Sequence, residues 1–240
     1  MDKHRKAANL IRESKNILVL TGAGMSTESG VKDFRSSDGL NKSKYKGYET
    51  EEILSIRFFN KRPKIFYDYL EENLNVEGVV PNRGHNILAS LEKDKNITII
   101  TQNVDELHQE AGSTDVVELH GNLRNTTCNR CFKNKKISQV FKEGYECECG
   151  GIYKPDVVLY GEDVPAMEDA VNATENADLL IVLGTSLMVY PAASIPRTFG
   201  VPFKPAIIIN KEETILSGTE NVIEFNSGIG KTLGKIMSEY

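Results

Sequence analysis

"ILVLTGAGMSTESGVKDFRS", residues 17–36, decides how the rest of the chain is read. Its first four residues are apolar and β-prone, and the next ones carry three glycines and a late Asp-Phe-Arg. A strand that ends in Gly22-Ala23-Gly24 and then turns into a helix sets free backbone N–H groups at a helix N-terminus, a geometry suited to a pyrophosphate. Ser26 and Thr27 are placed to cap that helix or bond a phosphate oxygen. The spacing is Gly-x-Gly-x5-Gly rather than Gly-x-Gly-x-x-Gly, so a plain strand-to-helix turn accounts for the glycines equally well.

The same alternation continues outward. Short apolar runs predict strands at residues 17–20, 97–101, 116–119, 157–160, 179–183, 206–209 and 222–225. Amphipathic stretches predict helices at 2–14, 63–74, 84–92, 104–111, 167–175 and 229–238. Alternating βα units imply an α/β fold of the doubly wound, Rossmann-like kind around a parallel sheet. Two stretches break the pattern: 36–81, polar and helical, and 122–154, which holds every cysteine. They are expected to join as a smaller helical and zinc-ribbon domain, leaving 1–35, 82–121 and 155–240 as the nucleotide-binding domain. "VEGVVPNRG", residues 76–84, is the clearest hinge-like turn cluster.

Composition limits the partners. With 240 residues, 40% of them apolar, the chain has material for a large core, and a formal charge of −5 without a basic stripe argues against nucleic acid. The longest apolar run, "LLIVL" at 179–183, is far too short to cross a membrane, and the first residues lack the apolar centre of a signal peptide. A cytoplasmic protein is expected. Its oligomeric state stays open.

Several other strand ends are polar. Gln102, Asn103 and Asp105 follow one strand, Gly184, Thr185 and Ser186 another, and Asn210 a third. Ligands of open α/β sheets bind at the carboxyl ends of the strands, so together these edges suggest a dinucleotide across the switch point. Each alone is equally explained as a helix cap. Cys128-x2-Cys131 and Cys147-x-Cys149, separated by fifteen residues, supply four thiolates for one tetrahedral, closed and therefore structural Zn²⁺. The second pair is one residue tighter than usual. Among the histidines, His4 reads as solvated surface, His85 as a structural hydrogen bond near a helix start, and His108 as a scaffold contact. His120 ends a strand and precedes Gly121; by position alone it is as much a core histidine as a catalytic one.

"GAGMSTESGVKDFR", "TQNVDELHQEAG", "LHGNL", the cysteine quartet, "KPDVVLYGE", "GTSLMVYPAA" and "IIIN", in this order, resemble the sirtuin family of NAD-dependent protein deacylases, in its bacterial, catalytic-core form. The resemblance spans about residues 7–230 and implies an NAD-dependent deacetylase acting on acylated-lysine proteins. The products are lysine, nicotinamide and 2′-O-acyl-ADP-ribose. It implies that Gly22, Ala23, Gly24 and Thr27 wrap the cofactor, that Phe34 and Arg35 cover its nicotinamide and ribose, and that Gln102, Asn103, Val104 and Asp105 orient them. Gly184, Thr185, Ser186, Asn210 and Gly228 complete the cofactor set. His120 becomes the general base on the ribose, with Asn103 and Asp105 as the other catalytic residues. Val157, Val158, Tyr160 and Gly161 are expected to take the peptide as an added strand.

Two features depart from the family: the Cys-x-Cys spacing, and Lys32 where the family usually has proline. Tyr67 and Leu70, in "FYDYLEE", occupy the places of the Tyr-x-x-Arg pair by which some sirtuins hold acidic acyl groups; with leucine there, uncharged acyl groups are expected. A protein ADP-ribosyltransferase or NAD hydrolase, and a non-catalytic zinc and nucleotide sensor, are the alternatives. A nicotinamide dehydrogenase is a third class, and against it the sequence shows no separate substrate domain after the glycine motif to accept a hydride.

Overall fold

The structure is a computed structural model that describes residues 2–36 and 39–240. Met1, Ser37 and Asp38, which the expected segments 1–35 and 36–81 include, lie outside the described residues. The strands are β1 (Asn16–Thr21), β2 (Asn96–Thr101), β3 (Val116–Glu118), β4 (Gly121–Cys128), β5 (Asn134–Lys136), β6 (Tyr153–Val157), β7 (Leu179–Leu183), β8 (Ala206–Asn210) and β9 (Val222–Asn226). Six of them form one sheet in the order β3-β2-β1-β7-β8-β9. Every pairing in it is parallel. The chain winds outward from β1 in one direction and, after the insertion, from β7 in the other, which is the doubly wound arrangement.

The apolar runs follow from burial on both faces. Ile17 and Val19 point into one core with Ala7, Ala8 and Ile11 of the helix Lys3–Glu13 and Leu233 and Ile236 of the helix Ile229–Ser238. Leu18 and Leu20 point into the other, against Ala170, Ile195 and Phe199. A parallel strand covered by helices on both sides has no face left for polar residues.

The second unit is built from the insertions. Antiparallel β5-β4-β6 frames the cysteines, with Cys128 ending β4 and the other three in the connections, and its core merges with the helical segment: Phe58, Phe59, Phe66, Tyr67 and Leu70 pack with Leu123, Val140, Tyr153 and Val157. The small sheet begins at Gly121 and runs to Val157, past the expected 122–154 on both sides.

Three local expectations are corrected. The strand expected at 157–160 is instead β6, in the small sheet; its pattern belonged to a connection buried on one side. Val158 N–H there donates to the His120 carbonyl at 2.9 Å, and Tyr160 forms one isolated bridge with Ser55. The helix expected at 104–111 shrinks to Leu107–Glu110, because Asp105 turns its carboxylate back onto the Leu107 N–H. Finally, the glycine loop enters two short 3-10 turns, Ala23–Met25 and Thr27–Ser29, rather than an α-helix. Among the described residues no helix is long and apolar enough to cross a membrane.

Candidate active site

A cleft of about 460 Å³ opens at the carboxyl ends of β1, β2, β7 and β8, between the sheet and the smaller unit. This is where the strand order reverses and where the winding leaves a crevice. The loops after β1 and β7 are pressed together at its floor. A side chain at Gly24 would lie 2.8 Å from the Gly184 Cα, and one at Gly22 would lie 2.7 Å from the Thr185 Cβ. The glycines are therefore required by the protein's own backbone. Gly184, at φ 62, is also in a backbone region that favours glycine.

The polar residues after β1 and β2 form one network. Ser26 Oγ donates to Asp105 Oδ2 at 2.6 Å and accepts from Asn103 Nδ2 at 3.1 Å. The second Asp105 oxygen accepts the Leu107 N–H at 3.1 Å. Ser26 is thus neither a helix cap nor free for a phosphate: it holds the two side chains that face the cleft. Burial pushes the Asp105 carboxyl above the ordinary carboxylate range, while the Ser26 and Leu107 bonds oppose that. Thr27 Oγ1 is turned inward onto the Gly24 carbonyl at 3.0 Å. Gln102 reaches across the switch point, its amide donating to Thr185 Oγ1 at 3.1 Å.

His120 stands on the same rim. Its Nδ1 lies 3.0 Å from the Gln102 carbonyl. A carbonyl only accepts, so this bond puts the proton on Nδ1 and leaves Nε2 with its lone pair. Burial lowers the imidazole pKa, and the carbonyl contact only partly offsets this; the neutral, basic form is the resting one.

The structure brings nearly all the sequence-selected residues to this one cleft. Gly22, Ala23, Gly24, Thr27, Phe34 and Arg35 line it from the first loop, and Gln102, Asn103, Val104, Asp105 and His120 from the centre. Gly184, Thr185, Ser186, Asn210 and Gly228 line it from the far side, and Leu70, Val157, Val158, Tyr160 and Gly161 from the smaller unit. Arg35 is tied across the mouth to Ser186 Oγ at 2.8 Å. Tyr67 does not reach it: it is buried against Phe66 and Tyr145, with its hydroxyl on the Tyr153 carbonyl. Sequence reasoning missed Leu54, Leu74, Val76 and Leu123, which line the cleft beside Leu70. Leu70 and Leu74 stand one helical turn apart, a signal that was available.

His85 and His108 are together behind the network. His85 closes a capping box with Asn82, whose amide holds the Met25 carbonyl of the first loop at 2.8 Å. His108 Nε2 lies 3.1 Å from Thr21 Oγ1, and the two rings meet edge to face at 4.7 Å. His4 is half-buried against Phe225 rather than fully solvated.

The four cysteine sulfurs lie within 4.8 Å of one another. Cys128 and Cys149 are 3.5 Å apart and Cys131 and Cys147 3.7 Å, close to the roughly 3.8 Å that four sulfurs about 2.3 Å from one tetrahedral Zn²⁺ would show. The donor set fits zinc. The tight Cys-x-Cys pair is accommodated by Gly150, at φ 78, whose N–H closes onto the Cys147 carbonyl at 2.8 Å. At Gly151 a side chain would strike the Cys128 sulfur at 2.7 Å.

Fold and site together define a doubly wound nucleotide-binding protein with a four-cysteine insertion beside its cleft. The chain belongs to the Sir2 family, the sirtuins, which residues 22–191 match. It is 43% identical to an NAD-dependent protein deacetylase of Fusobacterium nucleatum over 226 residues, 92% of this chain and 86% of that one. It is 41% identical to NAD-dependent protein deacetylase 2 of Geobacillus kaustophilus, covering 100% of this chain and 98% of the other. A solved structure of Sir2 with a p53 peptide and NAD⁺ superposes with a TM-score of 0.88 at 34% identity, over 100% of this chain and 98% of that one.

Proposed function

We propose that this protein is an NAD-dependent protein deacetylase whose reaction centre is the Asn103–Asp105–His120 cluster. One observation carries the residue assignment. His120 is neutral, with its Nδ1 proton committed to the Gln102 carbonyl, so the imidazole has one lone pair to offer at Nε2. When bound, NAD supplies a nicotinamide leaving group and the ribose hydroxyl that receives the acyl group. Asn103 and Asp105, held by Ser26, orient that ribose, and His120 accepts its hydroxyl proton. Phe34 and Arg35 close over the site and keep water from it. Ala23, Thr27, Gly184, Thr185 and Ser186 hold the phosphates and neighbouring ribose, and Asn210 and Gly228 the adenosine end. The cleft volume lies in the range of small-molecule sites.

The acylated lysine of a protein enters from the other side. An extended peptide lies along residues 157–161, which line this side of the cleft, and recognition through main-chain groups gives weak sequence selectivity. Leu54, Leu70, Leu74 and Leu123 make the wall beside them apolar. An unpaired succinyl carboxylate against this wall costs several kcal/mol, so acetyl and other uncharged acyl groups are the substrates. The nucleotide-binding domain comprises 2–35, 82–120 and 158–240, and the smaller domain 36, 39–81 and 121–157, which keeps the whole small sheet in one unit. Four closely spaced thiols suit a reducing compartment, and we assign the protein to the cytoplasm.

Mass spectrometry of one peptide, acetylated or succinylated on the same lysine, after incubation with NAD tests this reading. Loss of acetyl with release of nicotinamide and 2′-O-acetyl-ADP-ribose is expected, with succinyl removed more slowly. A gain of ADP-ribose on the peptide would assign the alternative transferase, and faster desuccinylation would overturn the acyl preference.

A further inference from the structure

The residue immediately after Asp105 has an unusual backbone. Glu106 sits at φ 58, in the left-handed region that L residues other than asparagine and aspartate seldom occupy. Such a conformation persists only where its surroundings hold it. Here the holding group is visible. The Glu106 carboxylate, 14% exposed, is paired with the Arg124 guanidinium from β4, and the same guanidinium takes the carboxylate of Glu110. The backbone beside it is joined in the same place, with Leu123 N–H donating to the Val104 carbonyl at 3.0 Å. Glu118, two residues before His120, accepts from Gln109 at 2.8 Å and from Asn122 at 3.0 Å.

Neither Glu106 nor Arg124 lines the cleft. Both act on what does. The Asp105 carboxylate closes onto the N–H of Leu107, so Glu106 is the middle residue of that turn and its dihedrals set where the carboxylate points. If Glu106 relaxed to a right-handed backbone, the turn would open and Asp105 would leave Ser26. Ser26 would then lose the partner that orients it toward Asn103.

We propose that the Glu106–Arg124 ion pair is a positioning clasp: it holds a strained backbone in place and so fixes Asn103 and Asp105 at the cofactor end of the cleft. The proposal rests on the reading that these two side chains work on NAD. It predicts a specific rescue. Glycine adopts this φ without strain, so the Glu106→Gly chain no longer needs the clasp.

The experiment compares wild type, Arg124→Met, Glu106→Gly and the double variant, each with its zinc content and thermal midpoint measured. NAD affinity is read by calorimetry, and kcat and KM by nicotinamide release with an acetylated peptide. Arg124→Met is expected to lower kcat/KM for NAD about tenfold and weaken NAD binding in parallel, with the peptide KM within about twofold. The double variant is expected to recover to within about threefold of wild type. An Arg124→Met protein with unchanged NAD parameters would overturn the proposal. So would a double variant as impaired as Arg124→Met, which would make Arg124 a packing residue of β4. Wild-type protein that binds NAD but deacetylates nothing would sink the reading of the reaction instead, and the calorimetry would still judge the clasp.

Discussion

The six-stranded sheet and the cysteine unit are stabilised in different ways. In the sheet, Leu18, Val19, Leu20, Leu180, Ile181, Val182, Ile207 and Ile208 are completely buried, and the strands need only one another and their helices. The smaller unit has a three-stranded sheet whose shortest strand, β5, spans three residues, and its core is an aromatic cluster with two buried thiols at its edge. Apolar burial is sufficient for the first region. In the second, the four sulfurs converge on one point, as the ligands of a single structural zinc would. The cleft lies between the two, so its geometry depends on both.

The sharpest way to break this comparison is to remove the metal. Cys128→Ser, or prolonged chelation, is expected to unfold the smaller unit and abolish deacetylation while the parallel sheet persists, because structural zinc supplies on the order of 10 kcal/mol of folding free energy to small modules. Far-UV circular dichroism that keeps most of its signal, with a lost aromatic near-UV signal, is the expected outcome. Full activity in zinc-free protein would show that the aromatic core is sufficient.

Next in size is the reaction itself, which the comparison assigns to the rim of the sheet. His120→Ala is expected to lower deacetylation of an acetylated peptide, followed as free lysine peptide, by about 10² to 10⁴-fold. Zinc content and thermal midpoint should stay near wild type, since His120 is only half-buried and its imidazole bonds to the Gln102 carbonyl alone among the described residues. Turnover near wild type would remove it as the base.

How much of this was legible in the sequence differs between the same two regions. β1, β7 and β8 were readable because strands buried on both faces are nearly uninterrupted apolar runs; β2 and β9, broken by Thr98 and Glu224 at half-buried positions, were readable from their short β-prone residues. Residues 157–160 look the same for another reason: Val157 and Leu159 pack into the small core while the intervening positions follow a connection. Single-sequence periodicity cannot separate those cases. The cleft-lining residues were legible as polar groups at strand ends, whereas the position of His120 before Gly121 left it even with a core histidine until the His-Gly match of the resemblance selected it. Their mutual bonds were not, because Ser26 and Asp105 are 79 residues apart in the chain. Tyr67 was placed in the acyl channel by a local match. Leu70, one turn on and in the same core, lines the cleft, whereas the Tyr67 ring is stacked on Tyr145 with its hydroxyl on the Tyr153 carbonyl and stops short of it.

The smallest effect expected is a response to acid confined to the sheet side, since neither 36–81 nor 122–154 contains a histidine. His85 and His108 are 0% and 1% exposed. Burial lowers His85 to about 4, and burial with the neighbouring His85 lowers His108 to about 3. In the unfolded chain both titrate near 6.5. The folded state is therefore the poorer proton binder over that interval, and its stability falls as the pH drops below about 6.5, continuing until the folded values are reached. At pH 5.5 each histidine should have cost on the order of 1 kcal/mol relative to pH 7.5. Urea midpoints across that range measure the slope, with released zinc followed in parallel to separate protonation of the thiolates. His108→Gln should lower the midpoint at neutral pH, because it leaves a buried amide poorly matched, yet flatten the slope by about half. An unchanged slope in that variant would mean that the acid response comes from the cysteine unit, and that the two regions do not divide the work in the way their cores suggest.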